Sequence, residues 1–305
     1  YPKGLFCYWT KEKRLNGVGD KRESPPSFSV PILPSTSVIN NNKGRSRENL
    51  KSYTKDRRAY EYWSDGNIHA ANMFMGSSFF NGSSADHIGP ISLGFIHDPR
   101  YLRRMTSSDN FTKRDRLQVE DVKEIITVEQ TTGICSISWY SAMVWEHIKN
   151  NYSAYPELVG TRYRDILKQN MANFMFILMH ILENTSGEGE KFLLQTLIEP
   201  KYEFFLHTYK FDELGQIIKE TPRHFTERIN NEIERFKRIA FESVFDYNSK
   251  SESESKRHAA PDLISVELSV LDNLCHEIQQ GEPFFKSAFR SLQSLMVFIQ
   301  KRLLI

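Results

Sequence analysis

From residue 119 to the end of the chain, apolar residues recur at the three- and four-residue spacing of a helix face. Val119-Glu120-Asp121 opens one such segment, with Val122, Ile125 and Ile126 on a common side, and Gly133 interrupts it. Ile137, Met143, Val144 and Ile148 carry the same spacing to Lys149. Residues 161–183 predict a strongly apolar helix, followed by a loop over Asn184-Thr185-Ser186-Gly187-Glu188-Gly189. Beyond Pro222 a long amphipathic helix is expected, with Ile229, Ile233, Phe236 and Ala240 as its stripe and Glu234 and Arg238 paired one turn apart. Helix returns over 262–304, broken near Gly281 and Pro283. The segment 249–261, rich in Ser, Glu and Lys, reads as a polar loop.

The first 118 residues have a different texture. Pro25-Pro26, Pro31, Pro34 and Asn40-Asn41-Asn42-Lys43-Gly44 break any period, so 1–50 predicts an irregular arm that turns basic from Lys43 onward. Over 60–118 Gly66, Gly76, Gly82, Gly89 and Gly94 punctuate short segments, which favours strands and loops over long helices. Ser84 to Ile88 predicts a strand, Gly89 to Pro99 a wide loop, and Leu102 to Thr106 a second strand. Ser108-Asp109 then predicts a helix start with Asn110 in its first turn. The fold class expected is α+β: a small β-β-α unit over 51–118 embedded in a mainly α-helical protein, with a helical domain over 119–305.

Composition narrows the class. Forty Lys and Arg nearly cancel 38 Asp and Glu, so the net charge of +2 points to no partner by itself. Cys7, Cys135 and Cys275 lie far apart with no Cys-x-x-Cys, which argues against a zinc knuckle or a disulfide framework and suits a reducing cytoplasm. The longest apolar run, near Phe174 to Met179, falls short of the ~20 residues that a membrane helix needs. The chain opens on Tyr rather than Met, and the expectation is a piece of something longer.

The chemistry concentrates in Ser84-Ala85-Asp86-His87-Ile88-Gly89-Pro90 and in Asn110. Hydrolysing a phosphodiester requires a base for the attacking water and positive charge for the phosphoryl and departing oxygens. A histidine suits the first task and a bound divalent metal the others. Mg²⁺ takes one or two hard protein oxygens and keeps waters, and Asp86 and Asn110 offer such oxygens. Adjacent strand residues face opposite sides, so Asp86 and His87 can flank one phosphate only where the strand ends, and Gly89-Pro90 supplies that end.

Asp86-His87-Ile88-Gly89-Pro90-Ile91-Ser92, with Ser107-Ser108-Asp109-Asn110 after it, resembles the HNH (ββα-metal) nuclease motif over about 30 of 305 residues. The resemblance implies His87 as general base with Asp86 and Asn110 on one Mg²⁺, and Asp109 as a further candidate ligand. The flanking runs Tyr60-Glu61-Tyr62-Trp63-Ser64-Asp65-Gly66-Asn67-Ile68-His69-Ala70-Ala71-Asn72 and Ser138-Trp139-Tyr140-Ser141 resemble type IIS restriction endonucleases of the BsaI/BsmBI group. That implies Mg²⁺-dependent cleavage of double-stranded DNA outside an asymmetric site and a sequence-reading region N-terminal to the nuclease; cutting both strands needs two active sites or sequential nicking, so transient dimerisation is expected. The zinc-binding cysteines of many HNH domains have no counterpart, so no zinc is expected.

Other residues carry weaker signals. Arg103, Arg104, Lys113, Arg114 and Arg116 suggest contacts to DNA phosphates rather than to bases. His97 reads either as a turn residue or as a second group reaching the phosphate, and His69 either as a residue lining the site or, more readily, as a structural hydrogen-bonding residue. Asp109 and Asp115 are candidate substitutes for the motif's third histidine, and each fits a helix cap or a surface charge as readily. Alternatives to the leading reading are another HNH nuclease of homing or phage type, and a helical nucleic-acid-binding module with a decayed motif.

Overall fold

The computed structural model describes residues 57–249 and 259–305. The expected arm over 1–50 and most of the polar loop over 249–261 lie outside the described residues. The described part is mainly helical, with two small antiparallel sheets.

Two helices open it: α1 (Arg57–Tyr62) and α2 (Ile68–Met75). Strands and loops were expected here, so this is a correction. The helices form because Trp63 and Ile68 bury their side chains in the main core. In addition, the Asn67 side chain accepts the Ala70 N–H and so caps α2. The β-β-α unit follows, as β1 (Ser84–His87), β2 (Leu102–Met105) and α3 (Ser107–Lys113). Both strands fall within a residue of the expected positions. They pair antiparallel, with Asp86 opposite Arg103 and His87 opposite Leu102. Thr106 caps α3, and Arg114 ends it in the left-handed region at φ 49°.

The helical part matches its pattern closely. Helix α4 (Val119–Thr132) stops at Gly133, and α5 (Ala142–Asn151) follows. Next come α6 (Arg164–Asn184), α7 (Glu188–Leu193), α8 (Glu227–Asn248), α9 (Ser265–Gln279) and α10 (Phe285–Leu303). The sequence pattern missed a hairpin, β3 (His207–Phe211) and β4 (Ile217–Pro222). Its turn rests on Asp212, whose Oδ1 accepts the N–H groups of Leu214 and Gln216.

The main core joins α1 to α6, α7, α8, α9 and α10. Trp63 donates its indole N–H to Ala240 O at 2.9 Å, fixing the end of α1 on α8. A second cluster runs from Ile88 through Trp145 to Leu167 and lies behind the β-β-α unit. Buried Gln300 of α10 accepts the backbone N–H groups of Met143 and Val144 and so covers the start of α5. Among the described residues no helix is long and apolar enough to cross a membrane.

Candidate active site

Strand β1 carries the site, and its alternation sends successive side chains to different neighbours. Ser84 and Asp86 meet α3, while His87 meets the loop between the strands. Asn110, on α3, donates its Nδ2 to Ser84 Oγ at 2.6 Å and to Ala85 O at 3.4 Å. Helix α3 thus lies on β1 with Asn110 against the residues just before Asp86. One turn on, Lys113 places Nζ 2.7 Å from Asp86 Oδ2, 2.6 Å from His87 O and 2.9 Å from Ile88 O.

Asp86 is buried, and it has a second cation. Arg103, directly across the ladder, donates Nε to the same Oδ2 at 3.1 Å, and it also grips Asp121 at 2.6 Å and Glu124. Burial pushes the Asp86 carboxyl above the usual carboxylate range, against the pull of Lys113 and Arg103. Both cations land on Oδ2, which leaves Oδ1 without a hydrogen bond among the described residues, as is Oδ1 of Asn110. Among the described residues no three His, Cys, Asp or Glu side chains gather as a metal cluster. A cation on this face would therefore have an acid oxygen, an amide oxygen and waters, which is the donor set Mg²⁺ tolerates and zinc does not favour.

His87 is half-buried at the end of β1. Its Nε2 lies 2.7 Å from Nδ1 of His97. His97 is fully buried and its backbone is held closely. The His97 N–H is donated to Ser64 Oγ at 3.1 Å, and the next residue, Asp98, accepts the Asn67 N–H at 3.2 Å. Asp98 also binds Arg100 through both carboxylate oxygens, at 2.6 and 2.7 Å. A β-carbon on Gly66 would meet His97 O at 2.4 Å, and one on Gly215, at the β3–β4 turn, would meet Pro99 O at 2.2 Å. Glycine is required at both places for the backbones to approach this closely.

The polar run Ser64-Asp65-Gly66-Asn67 is therefore the cradle of the His97 loop. Asp65 anchors the cradle by accepting the Trp139 N–H at 2.7 Å and by donating its own N–H to Ser138 Oγ at 3.2 Å. Burial raises the Asp65 carboxyl, opposed by Lys201, whose own burial lowers its ammonium to about 8. The two flanking runs of the sequence thus touch each other and reach His87 through His97. Sequence reasoning noticed these runs without assigning them work. The available signal was three polar residues and a glycine set between an aromatic helix end and an apolar helix start.

A type II restriction endonuclease family model, described as Type II restriction endonuclease (RE_Alw26IDE), matches residues 36–294. The chain belongs to this family. No curated protein and no solved structure matches it. The endonuclease is accordingly a site-specific endodeoxyribonuclease that binds DNA, and its family membership sets aside the non-enzymatic alternative.

The remaining expected residues divide by exposure. Lys113 is buried on Asp86, and Arg103 lies within the cluster of Asp86, Asp121 and Glu124, so carboxylates of the protein engage both. Arg104, Arg114 and Arg116 are exposed. Arg104 lies over the Phe79 ring and Arg114 over the Phe111 ring, with Phe111 itself 71 % exposed. Asp109 accepts the Thr106 hydroxyl at 2.7 Å and takes part in the α3 cap, as its helix-cap reading expects. His69 packs on Phe205 and Tyr209, and burial lowers its imidazole to about 4, consistent with a structural role.

Proposed function

We propose that the endonuclease cleaves DNA with an HNH-type centre in which His87 is the general base and Asp86 and Asn110 hold one Mg²⁺. The observation that carries this reading is the seat of Asn110 on β1, hydrogen-bonded to Ser84 and Ala85 beside the Asp86-His87 dipeptide. It is supported by the strand–strand–helix order around these residues and by the two carboxyl and amide oxygens that hydrogen bonding leaves over.

His87 takes a proton from a water as its oxygen attacks phosphorus, the P–O3′ bond breaks, and the departing oxygen is protonated from solvent. Mg²⁺, when bound, supplies positive charge to the phosphoryl and leaving oxygens. Lys113 and Arg103 draw Asp86 toward its ionised form, against the burial that favours its protonation. Arg104, Arg114 and Arg116 hold the backbone phosphates of double-stranded DNA at the mouth of the site. By the resemblance of its flanking runs, the enzyme is of the type IIS kind. It reads an asymmetric sequence through a region N-terminal to the nuclease and pairs transiently with a second copy to cut both strands.

The test is cleavage of DNA of known sequence by the wild type and by His87→Ala, Asp86→Asn and Asn110→Ala, with and without Mg²⁺. His87→Ala should lose turnover and keep metal binding, while the other two variants should weaken metal binding. Undiminished cleavage by His87→Ala ends the proposal. Mapping the ends decides the type: a constant offset from one asymmetric sequence supports type IIS, and cuts inside a long site support a homing-type enzyme.

A further inference from the structure

The imidazole of His97 is out of place in a solvent-facing turn. It is fully buried, on a loop held by Ser64, Asn67 and the close approaches of Gly66 and Gly215. Four residues from two separate stretches of chain thus hold this loop, and the His97 ring it carries places Nδ1 2.7 Å from Nε2 of His87. A packing role alone would be met by an apolar ring of the same size.

We infer that His97 is a positioning residue for His87, accepting the His87 Nε2–H on its own Nδ1 and so fixing the tautomer in which His87 Nδ1 carries the lone pair. This rests on the reading of His87 as general base. In a neutral imidazole one nitrogen donates and the other accepts, and the partner of one decides the role of the other. If His97 donated instead, His87 would carry its proton on Nδ1 and could not take one from water there. With His97 as acceptor, the water O–H bond breaks and the proton joins His87 Nδ1. The Nε2–H of the resulting imidazolium remains bonded to a neutral ring. In this arrangement neutral His97 keeps its own proton on its buried Nε2, His87 is ready before substrate arrives, and the charge that develops on His87 meets the Nδ1 lone pair of a buried ring. The hairpin β3–β4 takes part through Gly215, which links a segment far along the chain to the orientation of the base.

Two measurements on the purified enzyme test this. In single-turnover cleavage with Mg²⁺, His97→Phe should slow the chemical step roughly 10- to 100-fold, the usual cost of losing such an outer partner, with DNA affinity unchanged. His97→Asn places an amide oxygen where Nδ1 lies, and it should recover most of the rate. Combined with His87→Ala, His97→Phe should cost nothing further. Nitrogen-15 spectra of histidine in the wild-type enzyme should show His87 protonated on Nε2, a reading that needs no variant to fold. Cleavage by His97→Phe at the wild-type rate, a His97→Asn variant as slow as His97→Phe, or a proton on His87 Nδ1 would overturn the inference while leaving the general base intact. Undiminished cleavage by His87→Ala would instead remove the base, and this inference with it.

Discussion

Lys113 sets its ammonium 2.7 Å from Asp86 Oδ2, with the two side chains only 4 % and 5 % exposed. Helix α3 is thereby fastened to β1 by a buried ion pair immediately beside Asn110 and His87. Such a pair contributes less than its separation suggests, because both charges give up water on burial. Breaking it is another matter, since a buried carboxylate is then left with Arg103 as its one remaining cation.

Lys113→Met should therefore be strongly destabilising, by about 3–5 kcal/mol. Urea unfolding of the wild type and the variant measures this. The same variant should weaken the seat of α3, since Nζ also donates to His87 O and Ile88 O. A change below ~1 kcal/mol, the range of exposed pairs, would mean that Arg103 alone suffices for Asp86.

Gly66→Ala tests the cradle. The added methyl would lie 2.4 Å from His97 O, a backbone atom that cannot swing aside. Overpacking of this kind costs roughly 1–3 kcal/mol. The strain should be relieved by moving the His97 loop, so cleavage should fall more than stability alone explains. Thermal unfolding and single-turnover cleavage of one preparation separate the two effects.

His69 gives a pH dependence. Burial is the largest cause of its depressed imidazole, near 4 in the folded protein against an ordinary value of 6.5, with Glu232 opposing and Arg223 adding to the shift. Between these values the unfolded chain binds a proton that the folded one does not, so stability is complete above pH 6.5 and falls as the pH drops toward 4. His69→Phe should flatten the stability profile across that window. An unchanged slope in urea unfolding at pH 4 to 7 would show that other groups control it.

Exposed Arg104, Arg114 and Arg116 should act on DNA by charge alone. Replacing each with Ala should weaken binding to all sequences alike and reduce the slope of log affinity against log salt by ~0.9 per lost phosphate contact. Fluorescence anisotropy over a salt series, with an inactive His87→Ala background, reads this directly. A variant that changed sequence preference with no change of slope would point to base contact instead.

Much of the fold was legible because helices announce themselves locally. The stripe Ile229, Ile233, Phe236 became α8, and Gly133 ended α4. The two strands of the β-β-α unit were legible from their turn residues and length. Helices α1 and α2 were not, because the one glycine between them serves close approach rather than chain breaking: Gly66 lies against His97. The β3–β4 hairpin was missed because β4 is nearly all exposed and shows no alternation of apolar and polar residues. Lys113 and Arg103 looked like phosphate contacts because a sequence shows charge but not which charges face inward.

By itself the sequence singled out the residues proposed to carry the chemistry, Asp86, His87 and Asn110, since their types and order are local properties of the chain. It also determined the helical periods, because a period of 3.6 residues is written in adjacent positions. The tertiary structure alone decided which side chains meet. It put Asn110 on Ser84, Lys113 and Arg103 on one oxygen of Asp86, and His97 on His87. Those contacts join residues distant in the chain, and burial of the whole core, rather than any local preference, selects them.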